Sequence, residues 1–276
     1  MERLNTILQG RQSIKTNKMK RIKILAGFLI ATAMVACNDQ SEKTTPDNEV
    51  LAENATAENE VLEEKTKGLV EEVLTQEQRD ALSPDDVLNA FKEGNERFIN
   101  NDLTARDHSE QVRKSATGQF PKAVVLSCLD SRVPVEDVFD RGIGDIFVGR
   151  VAGNFVNEDL LGSMEFGCKV AGSKLILVLG HEHCGAVKAA IDDVKLGNIT
   201  AMLTKIRPAV DMVDYDGDRT SMNEDFVAKV CESNVRNTIE QIRLKSPILK
   251  EMEDNGEIKI VGGIYDMDSG IVTFLK

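Results

Sequence analysis

Four short runs, Ala123–Ser127 (AVVLS), Asp145–Val151 (DIFVGRV), Leu175–Gly180 (LILVLG) and Ile258–Tyr265 (IKIVGGIY), are apolar at largely consecutive positions. Strands covered on both faces have this pattern, whereas half-solvated strands alternate. Apolar residues at helical spacing lie between them, over Asp159–Val170, Ala186–Lys195 and Asp225–Leu244. An earlier helix begins at Ser83-Pro84-Asp85-Asp86, where Ser83 suits the N-cap and Pro84 the first helical turn, and Val87, Leu88, Phe91 and Phe98 form its stripe. Strands alternating with helical crossovers predict an α/β fold, a mostly parallel central sheet with helices on both faces. Ile271–Phe274 follows Tyr265 after only a short DMDSG turn and is expected to pair antiparallel with the strand before it.

The first 83 residues do not share this pattern. Lys20, Arg21 and Lys23 precede the apolar run Ile24–Ala33, which is too short to span a bilayer and reads as a secretion signal. The n-region begins at Met19, which predicts that translation starts there rather than at Met1. The run ends in Met34-Val35-Ala36-Cys37, which resembles the bacterial lipobox, in which a Cys after small residues is lipidated and becomes the new N-terminus. A plain cleaved signal with a free Cys37 is the alternative. From Asn38 to about Ser83 the chain is rich in Glu, Asn, Thr and Ala, without an aromatic residue, and reads as a flexible acidic tether. Within it, Val61–Gln78 has apolar residues at roughly helical spacing, which suits a transient or docking helix, but a solvated charged face is the preferred reading. The expected organisation is therefore a signal segment at 1–37, a tether at 38–83 and a folded body at 84–276. The protein is expected to be exported and lipid-anchored in a bacterial envelope, periplasmic or surface-facing.

Charge follows the same division. Residues 1–37 carry seven basic groups and one acidic, residues 38–80 four and thirteen, and the whole chain −12. An acidic chain with no Trp and two Tyr lacks the basic face and the stacking platforms that a nucleic-acid partner requires.

Chemistry concentrates at two strand ends. Of five Cys and three His, Cys128 directly follows AVVLS, while His181 and Cys184 directly follow LILVLG. Parallel strands deliver such residues to the crevice at their carboxyl ends. Two thiolates and one imidazole suit zinc, and three protein ligands leave a fourth position open, as in catalytic sites. The absence of any CxxC pair argues against a closed structural zinc and against a thiol redox protein built on Cys128 and Cys184. Cys168 and Cys231 fall in helices, where a buried free thiol is the default and a disulfide the alternative.

The surrounding residues are more specific. Cys128-Leu129-Asp130-Ser131-Arg132, Gly180-His181-Glu182-His183-Cys184-Gly185-Ala186, Arg150-Val151-Ala152-Gly153-Asn154 and Gln119-Phe120-Pro121-Lys122 resemble the β-class carbonic anhydrases over about Ser83 to Leu275. That resemblance implies a zinc lyase that interconverts carbon dioxide and water with bicarbonate and a proton through zinc-bound hydroxide. Cys128, His181 and Cys184 would hold Zn2+. Asp130, gripped by Arg132, would accept the hydrogen bond of the nucleophile or, released, would close the site as a fourth ligand. Gln119 would bind substrate oxygen. Phe147, Phe166, Val151 and Gly153 would line the carbon dioxide pocket, Phe166 standing where plant-type members carry Tyr. Without Trp, the family's inhibitory bicarbonate pocket is not expected. The resemblance further implies a homodimer, often paired into tetramers, with the N-terminal helices embracing the neighbouring subunit. His183 is a candidate proton carrier, with buffer as the alternative; His108 lies in a polar stretch and reads as surface. Hydrolysis of carbon disulfide or carbonyl sulfide on the same scaffold, and a non-catalytic zinc-binding lipoprotein, are the competing functions.

Overall fold

The structure, a computed structural model, describes residues 68–276; the signal segment, Cys37 and the tether as far as residue 67 lie outside the described residues. In chain order the elements are α1 (Gln76–Asp80), α2 (Pro84–Ile99), α3 (His108–Ser115), β1 (Ala123–Ser127), α4 (Val135–Val138), β2 (Ile146–Arg150), α5 (Glu158–Glu165) and a π-helical turn (Phe166–Val170). There follow β3 (Leu175–His181), α6 (Gly185–Ile191), α7 (Gly197–Leu203), α8 (Arg207–Met212), α9 (Glu224–Lys245), α10 (Pro247–Asp254), β4 (Lys259–Tyr265) and β5 (Val272–Phe274). Among the described residues, no helix is long and apolar enough to cross a membrane.

The sheet order is β2-β1-β3-β4-β5. The first four strands are parallel and β5 runs antiparallel to β4, as the short turn before it predicts. β3 is buried at every position because its alternate side chains enter two cores. Ile176 and Val178 meet Val235, Ile242 and Leu249 of α9 and α10, whereas Leu175, Leu177 and Leu179 meet Val87 and Phe91 of α2 and Phe139. A third core of Phe155, Val187, Ile206, Val227, Val230 and Cys231 closes over the carboxyl ends of the strands and reaches Cys128 and Cys184. β2 departs from the two-sided burial its sequence implies. It forms one edge of the sheet and is only half-buried throughout, because one side has no strand to cover it.

Local chemistry sets the helix boundaries. Ser83 and Asp86 form a reciprocal capping box at α2, with Pro84 at the first position. The helix expected at Ala186–Lys195 ends at Ile191 as α6, since Asp192-Asp193 breaks the pattern and Asp193 adopts φ +51°; α7, which was not expected, follows from Gly197. α5 passes directly into the π-turn, where Gly167 packs so closely on the sheet that a Cβ there would meet Val124 Cγ2 at 2.5 Å.

Residues 68–82, assigned by composition to the tether, carry definite contacts to the body. Val70 forms a parallel bridge with Arg106, its N–H donating to Ala105 O at 2.8 Å and its carbonyl accepting from Asp107 N at 3.1 Å. Gln111 donates to Glu72 O at 3.1 Å, and Thr75 and Gln78 cap α1. Arg79 is buried, and its guanidinium donates to Ala171 O beside Gly172, whose φ of +82° and lack of a Cβ make room for it. Arg79, Leu82 packed on the core, the ion pairs of Lys114 with Glu71 and Glu72 and a few backbone bonds hold a segment whose acidic composition hides its docking.

A buried ion-pair cluster joins α2, the loop after it and the end of α4. The Asp140 side chain is wholly inaccessible and accepts from Arg97 Nε at 2.5 Å, Arg106 Nη1 at 2.6 Å and Thr104 Oγ1 at 2.7 Å. Burial pushes this carboxyl up, but the bonds from Thr104, Arg97 and Arg106 outweigh it and hold the group below the usual carboxylate range. The stability this cluster contributes is thus present above about pH 4 and is lost as the pH falls further. We expect Asp140→Asn to cost roughly 3 kcal/mol at pH 7, and to flatten the loss of stability between about pH 4 and pH 2, both read from urea unfolding.

Candidate metal centre

Ser127 pairs with Leu179 in the β1–β3 register, so Cys128 and His181 emerge side by side at the carboxyl end of the sheet. His181 is the last residue of β3, and Cys184 is the N-cap of α6, three residues further on. The positive φ of His183 (+53°) makes the tight turn that swings Cys184 back beside Cys128. The sulfurs lie 3.9 Å apart, and the donor atoms of Cys128, His181 and Cys184 all fall within 4.8 Å of one another. All three residues are buried.

These donors fit a soft divalent cation. His181 Nδ1 lies 2.8 Å from Glu182 O, which assigns the ring proton to that nitrogen and presents the Nε2 lone pair to the cluster. Nε2 is buried without a protein partner. The two thiols share one proton between them: hydrogen bonding from Cys184 holds the Cys128 thiol well below its ordinary value against the effect of burial, and the Gly153 N–H adds to it. The same pairing, with burial and the Cys128 charge, pushes Cys184 up. A cation between the sulfurs removes the resistance to the second ionisation. Cys168 and Cys231 are free, and burial pushes each thiol up to about 12, so neither is disulfide-bonded nor a reactive thiolate.

Beside the ligands, Arg132 grips Asp130 with Nε at 2.9 Å and Nη2 at 2.7 Å, and its backbone N–H donates to the same carboxylate at 3.0 Å. These bonds, Arg132's side chain first, hold the Asp130 carboxyl well below the usual carboxylate range although burial opposes them. The carboxylate stands 3.9 Å from His181 Nε2, ionised and able only to accept hydrogen bonds. Gly153 N–H donates to Cys128 Sγ at 3.3 Å, and Val151 packs into the adjacent core.

The other expected pocket residues are not at this end of the sheet. Phe147 pairs with Val124, four residues before Cys128, which places it about 13 Å along the sheet from the metal cluster. Its ring lies 6.3 Å from that of Phe166, and both line an open cavity of about 570 Å³ with Leu160 and Met164. Phe166 is 55% exposed rather than part of the core. Gln119 is exposed before the start of β1, further still from Cys128. Within one chain, the metal cluster and the Gln119, Phe147 and Phe166 group occupy opposite ends of β1 and β2. His183 lies near Glu224, with 3.9 Å between Nδ1 and Oε1, and His108 opens α3 at the surface. The arrangement also uses Arg150, whose guanidinium donates to Cys128 O at 2.9 Å and to Val133 O at 2.7 Å, bracing the turn that carries Asp130 and Arg132. Its place in the Arg150–Asn154 motif was the available signal, but a contact to a backbone carbonyl has no sequence signature.

The carbonic anhydrase family profile matches residues 123–272, and the chain belongs to this family. It is 36% identical over 187 residues to carbonic anhydrase 2 of Mycobacterium tuberculosis, covering 66% of this chain and 87% of that protein. Among solved structures, a Coccomyxa β-carbonic anhydrase in complex with acetazolamide is 26% identical with a TM-score of 0.54, over 68% of this chain and 84% of that one. A tetrameric β-carbonic anhydrase from Sordaria macrospora shares the fold at 18% identity and a TM-score of 0.52, over 83% of this chain and 98% of its own.

Purified protein is expected to contain one zinc per chain by elemental analysis, and Cys184→Ala to lose it, because Cys128 and His181 alone leave a two-ligand site.

Proposed function

We infer that this chain catalyses the reversible hydration of carbon dioxide to bicarbonate and a proton, with zinc held by Cys128, His181 and Cys184. The observation that carries this reading is the buried Cys-His-Cys cluster with an ionised, arginine-held carboxylate at its rim. Zinc at those donors would supply a water acidic enough to yield hydroxide near neutral pH. Asp130, kept ionised by Arg132, would accept a hydrogen bond from that water and orient it toward the substrate, a role open only to a carboxylate without a proton. Arg132 occupies both Asp130 oxygens and keeps them from the cluster. Gly153 and Val151 form the near wall.

The far wall comes from a second copy of the chain. β2 is an open edge, and a two-fold axis beside it would run the β2 strands of two subunits antiparallel. The Phe147 end of one then lies against the Val151 end of the other, and Gln119, Phe147 and Phe166 of each subunit face the metal cluster of its neighbour. The exposure of Phe166 on this edge supports such a cover. The assembly is a homodimer or a pair of dimers, and two composite sites follow from one contact.

Residues 1–37 read as a signal ending in a lipidated Cys37, and residues 38–67 as a tether between the envelope membrane and the body, which would place the enzyme on the periplasmic or outer face. The basic n-region, the short apolar run and the lipobox-like Met34-Val35-Ala36-Cys37 support this. Metabolic labelling with a fatty acid, lost in Cys37→Ala, checks it.

Stopped-flow hydration of carbon dioxide by the purified chain tests the function: we expect activity that Cys128→Ala abolishes. A zinc-loaded chain that hydrolyses carbon disulfide and leaves carbon dioxide untouched would overturn it. Arg132→Ala is expected to lower kcat/KM about 10- to 100-fold while zinc content holds. Composite sites make a further prediction. Mixing Cys128→Ala with Gln119→Ala subunits after dissociation should restore about a quarter of wild-type activity, since half the dimers are mixed and each has one intact site.

A further inference from the structure

Asn234 lies on α9, 1% exposed, and Nδ2 donates to the carbonyl of Gly153 at 2.7 Å, across 81 positions of sequence. Gly153 in turn donates its N–H to Cys128 Sγ. The two bonds use opposite ends of one residue, and that residue has little other freedom. Its φ is +84°, a Cβ there would collide with Ile206 and come within 3.3 Å of Ala186, and the following Asn154 N–H closes the turn on Val151 O at 3.0 Å.

We propose that Asn234 is a positioning residue for the metal centre: by fixing the Gly153 carbonyl it aims the Gly153 N–H at the Cys128 sulfur, and so limits how much charge that thiolate gives to a bound metal. The inference rests on Cys128 being a metal ligand. Two thiolates donate more charge than imidazoles do, and a backbone N–H on a ligating sulfur withdraws part of it. Stability alone does not account for the residue. A buried amide adds to stability when both ends are bonded, yet Asn234 Oδ1 is buried without a protein partner. Thr238, one helical turn further along α9, is equally buried with Oγ1 unpartnered and makes no bond to the 151–154 turn, which makes it the matched control.

The experiment compares full-length wild type, Asn234→Leu and Thr238→Val, each loaded with cobalt(II) in place of zinc. Its readouts are the sulfur-to-cobalt charge-transfer band, zinc affinity by chelator competition, and thermal unfolding by circular dichroism. We expect Asn234→Leu to move the band to lower energy, because the sulfur becomes more electron-rich, and to weaken zinc binding about 10-fold, because the 151–154 turn no longer holds Cys128 in register with the other two ligands and this outweighs the stronger donation. Thr238→Val should leave both unchanged. Should Asn234→Leu fail to fold, Asn234→Ala, which puts no apolar bulk against the carbonyl, carries the same expectation. A folded Asn234 variant with the wild-type band and affinity overturns the inference, as does a Thr238→Val shift of equal size. Wild-type protein that takes up neither zinc nor cobalt overturns the metal reading itself, and this inference with it.

Discussion

Cys128 and Cys184 hold their sulfurs 3.9 Å apart in a buried site. Two unit charges at that distance repel by about 4 kcal/mol at an effective dielectric of 20, so without a cation the pair keeps at most one full thiolate. The opposite displacement of the two thiols expresses the same constraint. Much of the surrounding structure answers it. The Gly153 N–H points at one sulfur, the proton of His181 is directed outward to Glu182 O, and the nearest carboxylate is restrained by Arg132. Each device places a positive dipole near the sulfurs or keeps a negative group off the space between the ligands.

The sheet supplies the geometry that makes this possible. In a parallel sheet all carboxyl ends face one way, so ligands separated by more than fifty residues meet without a long loop between them. The same rule separates Gln119 and Phe147 from the metal cluster, since residues at the start of β1 and β2 cannot reach their ends. Carbon dioxide hydration needs an apolar wall beside the nucleophile. A single chain whose wall lies a strand-length away is chemically incomplete, and in the dimer we propose a second copy at the open β2 edge would complete it. Dimerisation in this reading builds the site rather than adding to its stability.

The strands, the antiparallel turn at the end and the cap of α2 were legible because each depends on a handful of neighbouring residues: consecutive Val, Leu and Ile, or Ser83 facing Asp86. The ligand set was legible because soft donors at the ends of two apolar runs have few other uses. Short helices such as the polar α3 and the six-residue α8 were not, since their formation depends on docking rather than on a stripe of their own. The separation of Gln119 from the metal cluster was missed although its signal was present. Gln119 precedes Cys128 by nine residues, most of them in extended chain, and such a segment does not fold back on its own end. Asn234 was invisible for a different reason, because its role depends on which carbonyl it meets across the fold.

The segment at 68–82 shows how composition misleads when anchoring is sparse. Its acidic, aromatic-free sequence cannot build a core, yet it needs none: Arg79 penetrates the body and bonds Ala171 O, at the residue that caps the π-turn carrying Phe166. A π-turn is locally less favourable than the α-helix it interrupts and persists where its surroundings fix both ends. Here Gly167 fixes one end by lying against Val124, and Arg79 fixes the other. The ring of Phe166 is thereby held on the open edge, beside Phe147, instead of turning into the core where an unconstrained aromatic side chain gains most. An apolar group kept exposed by two separate restraints, one of them supplied from fifteen residues of apparent tether, is consistent with a surface that meets a partner rather than water.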